Sequence, residues 1–240
     1  MRLRPADLIR VMPAEGRKAA LRHPPPAARR RFLFMRAVVF ANGTIDDLEG
    51  ARTLLRPDDI LIAADGGALH CRAMGVEPAV IVGDLDSVQF IRHDRRKDET
   101  DLELALLHAQ GLDRDETLVL GALGGRWDQS FANILLPSYH RLEAQDVTFW
   151  HEGTWIYVIR EQRTIRGQAG QTVSLIPVGG SAHGVSTEGL EWPLENETLL
   201  MGASRGVSNI LLGETAIIRV KDGLLLCFVF QSPEAKEVKK

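Results

Sequence analysis

Cysteine is scarce in this sequence, and the few cysteines present are badly placed for a metal site. The 240 residues contain two, Cys71 and Cys227, far apart in the chain. Neither has a second cysteine or a histidine at the spacing that a zinc site requires, and the seven histidines form no HExxH pair. We therefore expect free thiols in a reducing compartment and no zinc centre.

Long apolar runs and a basic stripe are also missing. No uninterrupted apolar stretch approaches the ~20 residues that cross a bilayer. The formal net charge is -3, and basic residues cluster only near the N-terminus. With 45% hydrophobic and 25% charged residues, the composition is that of a soluble globular protein. We expect a cytoplasmic protein with neither a membrane nor a nucleic acid as partner.

Residues 1–35 differ in composition from the rest, with many arginines set around Pro24-Pro25-Pro26. This composition favours a solvated arm. The basic charge leaves an organellar transit peptide open, although Asp7, Glu15 and the prolines fit one poorly. A start at Met35, immediately before the first predicted strand, is a further alternative.

Residues 36–162 alternate short Val- and Ile-rich runs with helical stretches, which predicts βα units and a mostly parallel open sheet of Rossmann-like type. The predicted strands are 37–40, 60–64, 79–82, 117–120 and 147–150, and the predicted helices are 46–55, 68–74, 101–108 and 128–136. Each of the first four strands is followed by glycine, asparagine or aspartate. Because ligands bind beyond the carboxyl ends of parallel strands, these residues mark the expected binding edge.

Residues 163–232 lose the helical period and contain successive strand-like segments, which predicts a β-sandwich or barrel-like second domain. The segments are 172–177, 184–190, 198–201, 209–212, 216–220 and 224–230. Asp222-Gly223 between the last two predicts a tight hairpin. Residues 233–240 form a charged tail. The predicted fold class is therefore an α/β domain followed by an all-β domain.

The segment Gly83-Asp84-Leu85-Asp86-Ser87 has two carboxylates two residues apart at the end of an apolar run. In an extended chain, residues i and i+2 point to the same side. Two converging carboxylates repel unless a cation lies between them, and hard oxygen ligands suit magnesium. The alternative is that acids simply end strands in turns.

Further carboxylates occupy equivalent positions along the same edge, which favours a bound cation over a strand-ending role. They are Asp65, Asp98, Asp101 and Asp128. Such a cluster would be electrostatically costly without a cation. Asp101 has an alternative role as a first-turn acid of a helix, since Thr100-Asp101-Leu102-Glu103 fits a capping box. Asp128 could instead cap a helix.

The loop Gly121-Ala122-Leu123-Gly124-Gly125-Arg126 has features that an anion requires. Its glycines let backbone N–H groups approach a ligand, and an arginine can bind phosphate with two parallel hydrogen bonds. The lysine and Ser/Thr of a Walker A loop are absent. Together with the acids, the loop predicts a site for magnesium-bound polyphosphate.

Four of these segments, in this order, resemble motifs of the thiamine pyrophosphokinase family. They are Asp65-Gly66-Gly67-Ala68, Gly83 to Ser87, Lys97-Asp98-Glu99-Thr100-Asp101, and Leu120 to Asp128. In the second domain, residues 187–194 are similar to the family's T-x-G-L-K-[WY]-x-L segment, and Ser208-Asn209 to its Ser-Asn pair. The resemblance runs from about residue 37 to residue 230. Gln129 replaces a frequent histidine, and Glu191 replaces a frequent lysine.

The resemblance implies transfer of the pyrophosphoryl group of ATP to the hydroxyl of thiamine, giving thiamine diphosphate and AMP. It implies that Asp84, Asp86 and Asp101 bind Mg²⁺, with Asp65 and Asp98 in support, and that Asp128 orients or deprotonates the hydroxyl. The implied ATP-phosphate contacts are Gly66, Gly67, Ser87, Lys97, Thr100, Gly124, Gly125 and Arg126.

For the acceptor, the resemblance implies contacts from Gln129, Trp192, Ser208 and Asn209. Thiamine is a cation with two aromatic rings, and it can stack on an indole. The alternative for Trp192 is a core or interface aromatic. The resemblance also implies a homodimer with the active site at the subunit interface. Two other functions stay open: a pyrophosphokinase for another hydroxymethyl heterocycle such as a reduced pterin, and a non-catalytic nucleotide- or thiamine-binding sensor.

Overall fold

The structure is a computed structural model that describes residues 35–83, 90–92, 97–112 and 114–231. Asp84, Asp86 and Ser87, which the sequence singles out, lie outside these residues. The predicted arm, except for Met35, and the whole of the predicted tail lie outside them as well.

Six strands from the first part of the chain run parallel in one sheet. They are β1 (Arg36–Phe40), β2 (Ile60–Ala64), β3 (Val80–Gly83), β4 (Phe90–Arg92), β5 (Glu116–Leu120) and β6 (Val147–His151). Their order is β4-β3-β2-β1-β5-β6, so β2 and β5 lie on opposite sides of β1. The direction of winding therefore reverses between β1 and β5. The sequence predicts all of these strands except β4.

Helices cover both faces of the parallel strands. They are α1 (Leu48–Thr53), α2 (Gly67–Ala73), α3 (Asp101–Gly111) and α4 (Trp127–Leu135). Because side chains alternate along a strand, Val38 and Phe40 pack with α1 and α2, whereas Ala37 and Val39 pack with α3. A 3₁₀ helix follows α4 and contains Pro137, which confirms the predicted stop there.

The same sheet continues with antiparallel strands. A tight hairpin joins β6 to β7 (Thr154–Ile159), and both of its loop residues have positive φ, 45° at Glu152 and 78° at Gly153. Beyond β7 the order is β14 (Leu225–Val229), β9 (Thr172–Pro177) and β12 (Asn209–Ile210). The sequence does not predict β7.

A second, antiparallel sheet packs on this extension. Its order is β11 (Glu197–Leu199), β10 (Ala182–Glu188), β13 (Thr215–Arg219) and β8 (Gln162–Arg166). A shared core of fully buried residues such as Ile165, Val185 and Ile218 from this sheet, with Leu175 and Cys227 from the large sheet, lies between the two. This part of the chain is therefore a β-sandwich.

The hairpin predicted at Asp222-Gly223 is wrong. β13 pairs with β8 and β10, whereas β14 pairs with β7 and β9, so the turn carries the chain from one sheet to the other. Gly223 has φ +100°, and a Cβ there would lie 2.7 Å from the Ser181 carbonyl oxygen. Gly223 is therefore needed where the chain crosses from one sheet to the other. The local sequence Asp222-Gly223 is the same for such a crossing as for a hairpin turn.

The predicted fold class is confirmed: parallel strands with helices on both faces are followed by a β-sandwich. The proposed domain boundary at residue 162 stays a prediction. It falls at the first residue of β8, and three strands from its C-terminal side join the large sheet. Within the described part of the chain, no helix has the length and apolar character to cross a membrane.

Candidate active site

The loops that follow β1 and β5 lie side by side at the point where the winding of the sheet reverses. Three backbone hydrogen bonds join them: Ala41 N to Leu120 O at 2.8 Å, Gly43 N to Gly121 O at 2.6 Å and Thr44 N to Leu123 O at 2.9 Å. Such a reversal at the carboxyl ends of parallel strands is where open α/β sheets bind ligands. The sequence predicts this edge, but it does not predict that the two loops pair.

Close contact between these loops explains two of the glycines. A Cβ on Gly43 would lie 2.4 Å from the carbonyl oxygen of Gly121, and one on Gly124 would lie 2.5 Å from Thr44 Oγ1. Gly125 differs, because nothing lies within 4 Å of its Cβ position. Among the described residues, the N–H groups of Gly124 and Gly125 have no hydrogen-bond acceptor. These two amides therefore remain available to an anion.

A cleft of about 750 Å³ opens above these loops. The start of α3 and the first two turns of α4 form its other walls. Its lining residues are Ala41, Asn42, Gly43, Thr44, Ala64, Glu99, Thr100, Asp101, Leu102, Ala122, Gly124, Gly125, Arg126, Asp128, Gln129, Ala132 and Asn133. The cleft thus brings together Thr100, Asp101 and the Gly124 to Gln129 segment, as predicted. Thr44 and Asn133 are lining residues that sequence reasoning missed, whereas Asn42 is one of the residues after the predicted strands that mark the expected binding edge.

Asp65 stands at the end of β2 in a left-handed backbone conformation, with φ 46°. Its N–H donates to Val82 O at 2.8 Å, and its Cα would lie 3.2 Å from a Cβ on Gly83. A non-glycine residue with positive φ is uncommon and is found often at functional sites. Asp65 therefore lies against Gly83, the residue immediately before Asp84.

Gly66 and Gly67 after Asp65 are explained by neighbouring atoms of the chain. A Cβ on Gly66 would lie 2.0 Å from Asn42 Oδ1, and one on Gly67 would lie 1.9 Å from the Phe40 carbonyl oxygen. The glycines let α2 begin directly beneath the loop after β1. Their predicted contact with ATP phosphates stays a prediction.

The start of α3 is capped as the sequence predicts. Thr100 is the N-cap residue, and its hydroxyl accepts a hydrogen bond from the Glu103 N–H at 3.2 Å. Asp101, the first helical residue, forms an ion pair with Lys97. Asp101 is thus a first-turn acid and a lining residue of the cleft at once. Asp98 is exposed beside it.

Arg126 and Asp128 form an exposed ion pair at the start of α4. Arg126 occupies the N-cap position and Asp128 lies in the first turn, so Asp128 is not the cap residue. The hydrogen bond from Arg126 holds the pKa of Asp128 below its ordinary value. Asp128 is therefore ionised near neutral pH, and both side chains are open to ligands.

A second groove of about 530 Å³ lies between α3 and α4 and shares Glu99 and Ala132 with the cleft. It is lined by Asp98, Glu99, Glu103, Ala132, Leu135, Leu136 and Tyr139. Burial and the neighbouring Glu99 raise the pKa of Glu103. A groove with acidic walls and an apolar floor suits an organic cation.

Among the described residues, no three His, Cys, Asp or Glu side chains form a metal cluster. Of the three predicted magnesium ligands, Asp101 alone lies within those residues. Its carboxylate attracts a cation, the Lys97 ammonium, and Asp65 adjoins the segment that contains Asp84 and Asp86. The oxygen donors at this edge therefore fit a hard cation such as Mg²⁺.

The second group of predicted residues lies at the far edge of the large sheet. Trp192 is 55% exposed, so it is not a core residue of this chain. Asn209 on β12 is buried, and its carboxamide bonds to the main chain of Trp192. Ser208 is exposed with φ 64°, and its N–H donates to Ser174 Oγ at 3.0 Å.

Within one chain, this group cannot reach the cleft. Five strand spacings separate β12 from β5 in the sheet. At roughly 4.8 Å per spacing, this amounts to about 24 Å along the sheet. The two groups of predicted site residues are therefore not brought together in a single subunit.

A winding reversal flanked by open glycine amides, an exposed arginine and carboxylates defines an α/β protein that binds a phosphate-containing ligand. Two family models identify the class more narrowly. The model for "Thiamin pyrophosphokinase, catalytic domain" matches residues 51–148, and that for "Thiamin pyrophosphokinase, vitamin B1 binding domain" matches residues 157–225. The chain belongs to the thiamine pyrophosphokinase family.

Individual relatives agree with this assignment. Thiamine pyrophosphokinase 1 of Oryza sativa subsp. japonica is 26% identical, covering 85% of this chain and 89% of the relative. Thiamine pyrophosphokinase of Bacillus subtilis is 25% identical, covering 76% of this chain and 96% of the relative. Thiamine pyrophosphokinase 3 of Oryza sativa is 29% identical, and the match spans 62% of its length.

Solved structures share the fold. The thiamine pyrophosphokinase of Bacillus subtilis has a TM-score of 0.71 at 23% identity, covering 83% of this chain and 100% of that one. The enzyme of Geobacillus thermodenitrificans has a TM-score of 0.72 at 22% identity, covering 83% and 99%.

Proposed function

We propose that this protein transfers the pyrophosphoryl group of Mg-ATP to the hydroxyl of thiamine, giving thiamine diphosphate and AMP, as a cytoplasmic homodimer. The observation that carries the proposal is the cleft itself. It combines two open glycine amides, an arginine exposed to ligands and an acidic edge, and these are the groups that a magnesium-bound polyphosphate requires.

The polyphosphate lies above the loop after β5. The N–H groups of Gly124 and Gly125 and the guanidinium of Arg126 bind its oxygens. Asp84, Asp86 and Asp101, with Asp65 and Asp98 in support, would hold Mg²⁺, which would supply neutralisation of phosphate charge. Gly66, Gly67, Ser87, Lys97 and Thr100 complete the contacts to the phosphates. Catalysis here consists mainly of positioning and electrostatic stabilisation.

The acceptor hydroxyl attacks the β-phosphorus of ATP. The new bond joins the acceptor oxygen to that phosphorus, the bond between the α,β-bridging oxygen and the β-phosphorus breaks, and AMP leaves with the electron pair. The hydroxyl proton passes to a phosphate oxygen and from there to water. Asp128 accepts a hydrogen bond from the hydroxyl and holds it in line. Because Arg126 keeps the pKa of Asp128 low, this carboxylate is a weak base, and orientation is its main role.

The acceptor binds between two subunits. Its cationic ring lies in the acidic groove beside the cleft, near Gln129. Trp192 and Ser208 approach from the partner subunit. In the subunit that supplies the cleft, these two residues lie about 24 Å from the cleft along the sheet. Exposed apolar residues on both sides support such an interface: Trp127 and Phe131 on α4 are 88% and 68% exposed, and Leu212 in the sandwich is 61% exposed.

The test is an assay of purified protein with Mg-ATP and thiamine that measures AMP and thiamine diphosphate separately. Asp84→Asn, Asp86→Asn and Asp101→Asn are each expected to lower turnover by orders of magnitude with an unchanged melting temperature. Asp58→Asn is the matched control, because Asp58 is exposed just before β2, at the opposite edge of the sheet.

The products distinguish this proposal from its alternatives. Turnover of a reduced hydroxymethylpterin in place of thiamine would identify the related pyrophosphokinase. Binding of both substrates without any AMP would identify a sensor. Formation of ADP instead of AMP would contradict attack at the β-phosphorus.

A further inference from the structure

Lys97 supplies the cation that the carboxylate of Asp101 binds in this structure. The two side chains form an ion pair across the N-cap residue Thr100, four residues apart. Lys97 is well covered, with 14% of its side chain exposed, and Asp101 retains 33%. The ion pair therefore lies at the start of α3 and is partly buried.

The neighbouring ion pair has a different character. Arg141 contacts Glu99 at 3.5 Å, and its side chain is 45% exposed, about three times the exposure of Lys97, whereas Glu99 is 33% exposed like Asp101. Glu99 and Asp101 both line the cleft, but of the two only Asp101 is a proposed ligand of magnesium. Lys97 is therefore the cation that is paired with a proposed metal ligand, and the Arg141–Glu99 pair serves as the comparison.

The Lys97 ammonium contacts one oxygen of the Asp101 carboxylate, Oδ1, and an ammonium this close would strongly repel a magnesium ion bound to the same carboxylate. We propose that the two cations exchange at Asp101: as magnesium polyphosphate binds, the Lys97 ammonium leaves the carboxylate and donates to the polyphosphate. This inference rests on the proposed function, because it requires Asp101 as a magnesium ligand. Lys97 is then a positioning residue for Asp101 before magnesium polyphosphate binds, and a phosphate contact afterwards.

The chemistry of lysine suits such an exchange. Its charge is compact and lies at the end of a four-carbon stem, so it can move several ångströms while the main chain stays fixed. An arginine would bind the carboxylate with two parallel hydrogen bonds and would release it less readily. The exchange also keeps Asp101 neutralised before magnesium binds, in a region that already contains Asp98 and Glu99.

The experiment measures binding of magnesium alone and of Mg-ATP. In Lys97→Met, removal of the competing ammonium is expected to tighten Mg²⁺ binding about two- to fivefold, the factor that an ion pair of this kind is worth. Calorimetry or the Mg²⁺ dependence of the melting temperature gives this value. Binding of Mg-ATP is expected to weaken about tenfold, since the charged hydrogen bond from the released Lys97 ammonium to the polyphosphate is lost. Lys97→Arg is expected to keep Mg²⁺ binding at or below the wild-type value.

The control is Arg141→Met, which removes a neighbouring positive charge without freeing Asp101. It is expected to leave Mg²⁺ affinity unchanged, and an increase equal to that of Lys97→Met would overturn the exchange in favour of general electrostatics. Unchanged Mg²⁺ affinity in Lys97→Met would overturn it as well, as would unchanged Mg-ATP affinity.

Asp101→Asn separates failure of this inference from failure of the proposed function. Loss of Mg²⁺ binding in Asp101→Asn, with no gain in Lys97→Met, leaves the metal assignment intact and rejects the exchange alone. Unchanged Mg²⁺ binding in Asp101→Asn would reject the metal assignment and the exchange together.

Discussion

Asn209 holds the main chain of Trp192 from both sides. Its Oδ1 accepts from the Trp192 N–H at 3.1 Å, and its Nδ2 donates to the Trp192 carbonyl oxygen at 2.7 Å. The same Oδ1 also accepts from Ile210 N at 2.9 Å. Because Asn209 is buried and Trp192 is more than half exposed, the carboxamide fixes a loop whose indole remains accessible. The effect of Asn209 on thiamine is therefore expected to act through Trp192.

Asn209→Ala tests this relationship. The variant leaves the N–H and C=O of Trp192 unpaired, which costs about 1–3 kcal/mol of unfolding free energy. We expect the KM for thiamine to rise while the KM for ATP stays unchanged, measured by steady-state kinetics beside thermal melting. Asn196→Gly is the control, since Asn196 is an exposed carboxamide whose backbone, with φ 54°, glycine adopts freely. An equal rise in both KM values would contradict a role confined to the acceptor.

Trp192→Ala is expected to weaken thiamine binding far more than ATP binding. Stacking and cation–π contact with a desolvated cation are worth on the order of 2 kcal/mol, or roughly thirtyfold in affinity. The melting temperature should change little, because the indole is 55% exposed. Leu200→Ala, at an exposed apolar residue of the sandwich outside the proposed interface, is the control for titrations of both substrates. Normal thiamine binding by a folded Trp192→Ala variant would reject the stacking role.

Much of the catalytic half could be predicted because its signals are local. Strand ends followed by glycine and acid indicated the binding edge, and Thr100 with Glu103 indicated the start of α3, which the structure confirms. These features depend on residues within a few positions of one another. The same is true of Pro137, which ends α4.

Features that depend on distant pairing could not be predicted in this way. Asp222-Gly223 has the composition of a hairpin turn, but the partners of its two flanking strands lie elsewhere in the chain. Glu152 is an unusual residue for positive φ, so the β6–β7 hairpin gave a weak signal. The contact of Asn209 with Trp192 spans 17 residues and depends on how the edge of the sandwich closes.

Arg126 is expected to affect the pH dependence of turnover through the pKa of Asp128. Its hydrogen bond keeps the pKa of Asp128 below the ordinary value, so Asp128 stays ionised until the pH falls through that lowered pKa. Arg126→Gln removes this effect, the pKa of Asp128 rises, and the acid limb of the kcat profile should move to higher pH. Arg126→Lys should lie between the two. An acid limb that stays in place in Arg126→Gln would show that Asp128 ionisation does not control the rate.

A variant shortened to begin at Met35 is expected to fold and to turn over at the wild-type rate. The contacts that anchor the start of β1 lie within the described residues: Arg36 bonds to both carboxylate oxygens of Asp59 at 3.0 and 2.7 Å, and to the Leu54 carbonyl oxygen at 2.6 Å. The measurement is melting temperature and specific activity of both lengths. An insoluble or inactive short form would show that residues 1–34 are required.

The last prediction concerns the sharing of one active site by two subunits. Asp101→Asn disables the cleft of its own subunit, and Trp192→Ala disables the acceptor contact made by the sandwich about 24 Å away along the sheet. In a homodimer with a twofold axis, a mixed dimer of these variants has one site with both defects and one site with neither. Subunits unfolded together and refolded as an equal mixture should therefore regain about a quarter of wild-type activity, although each variant alone is nearly inactive at low thiamine.

The control mixes Asp101→Asn with Asp128→Asn, which lie in the same cleft and leave one defect in each site of a mixed dimer. Recovery in the control, or none in the first mixture despite dimers seen by light scattering, would contradict a site built from two subunits.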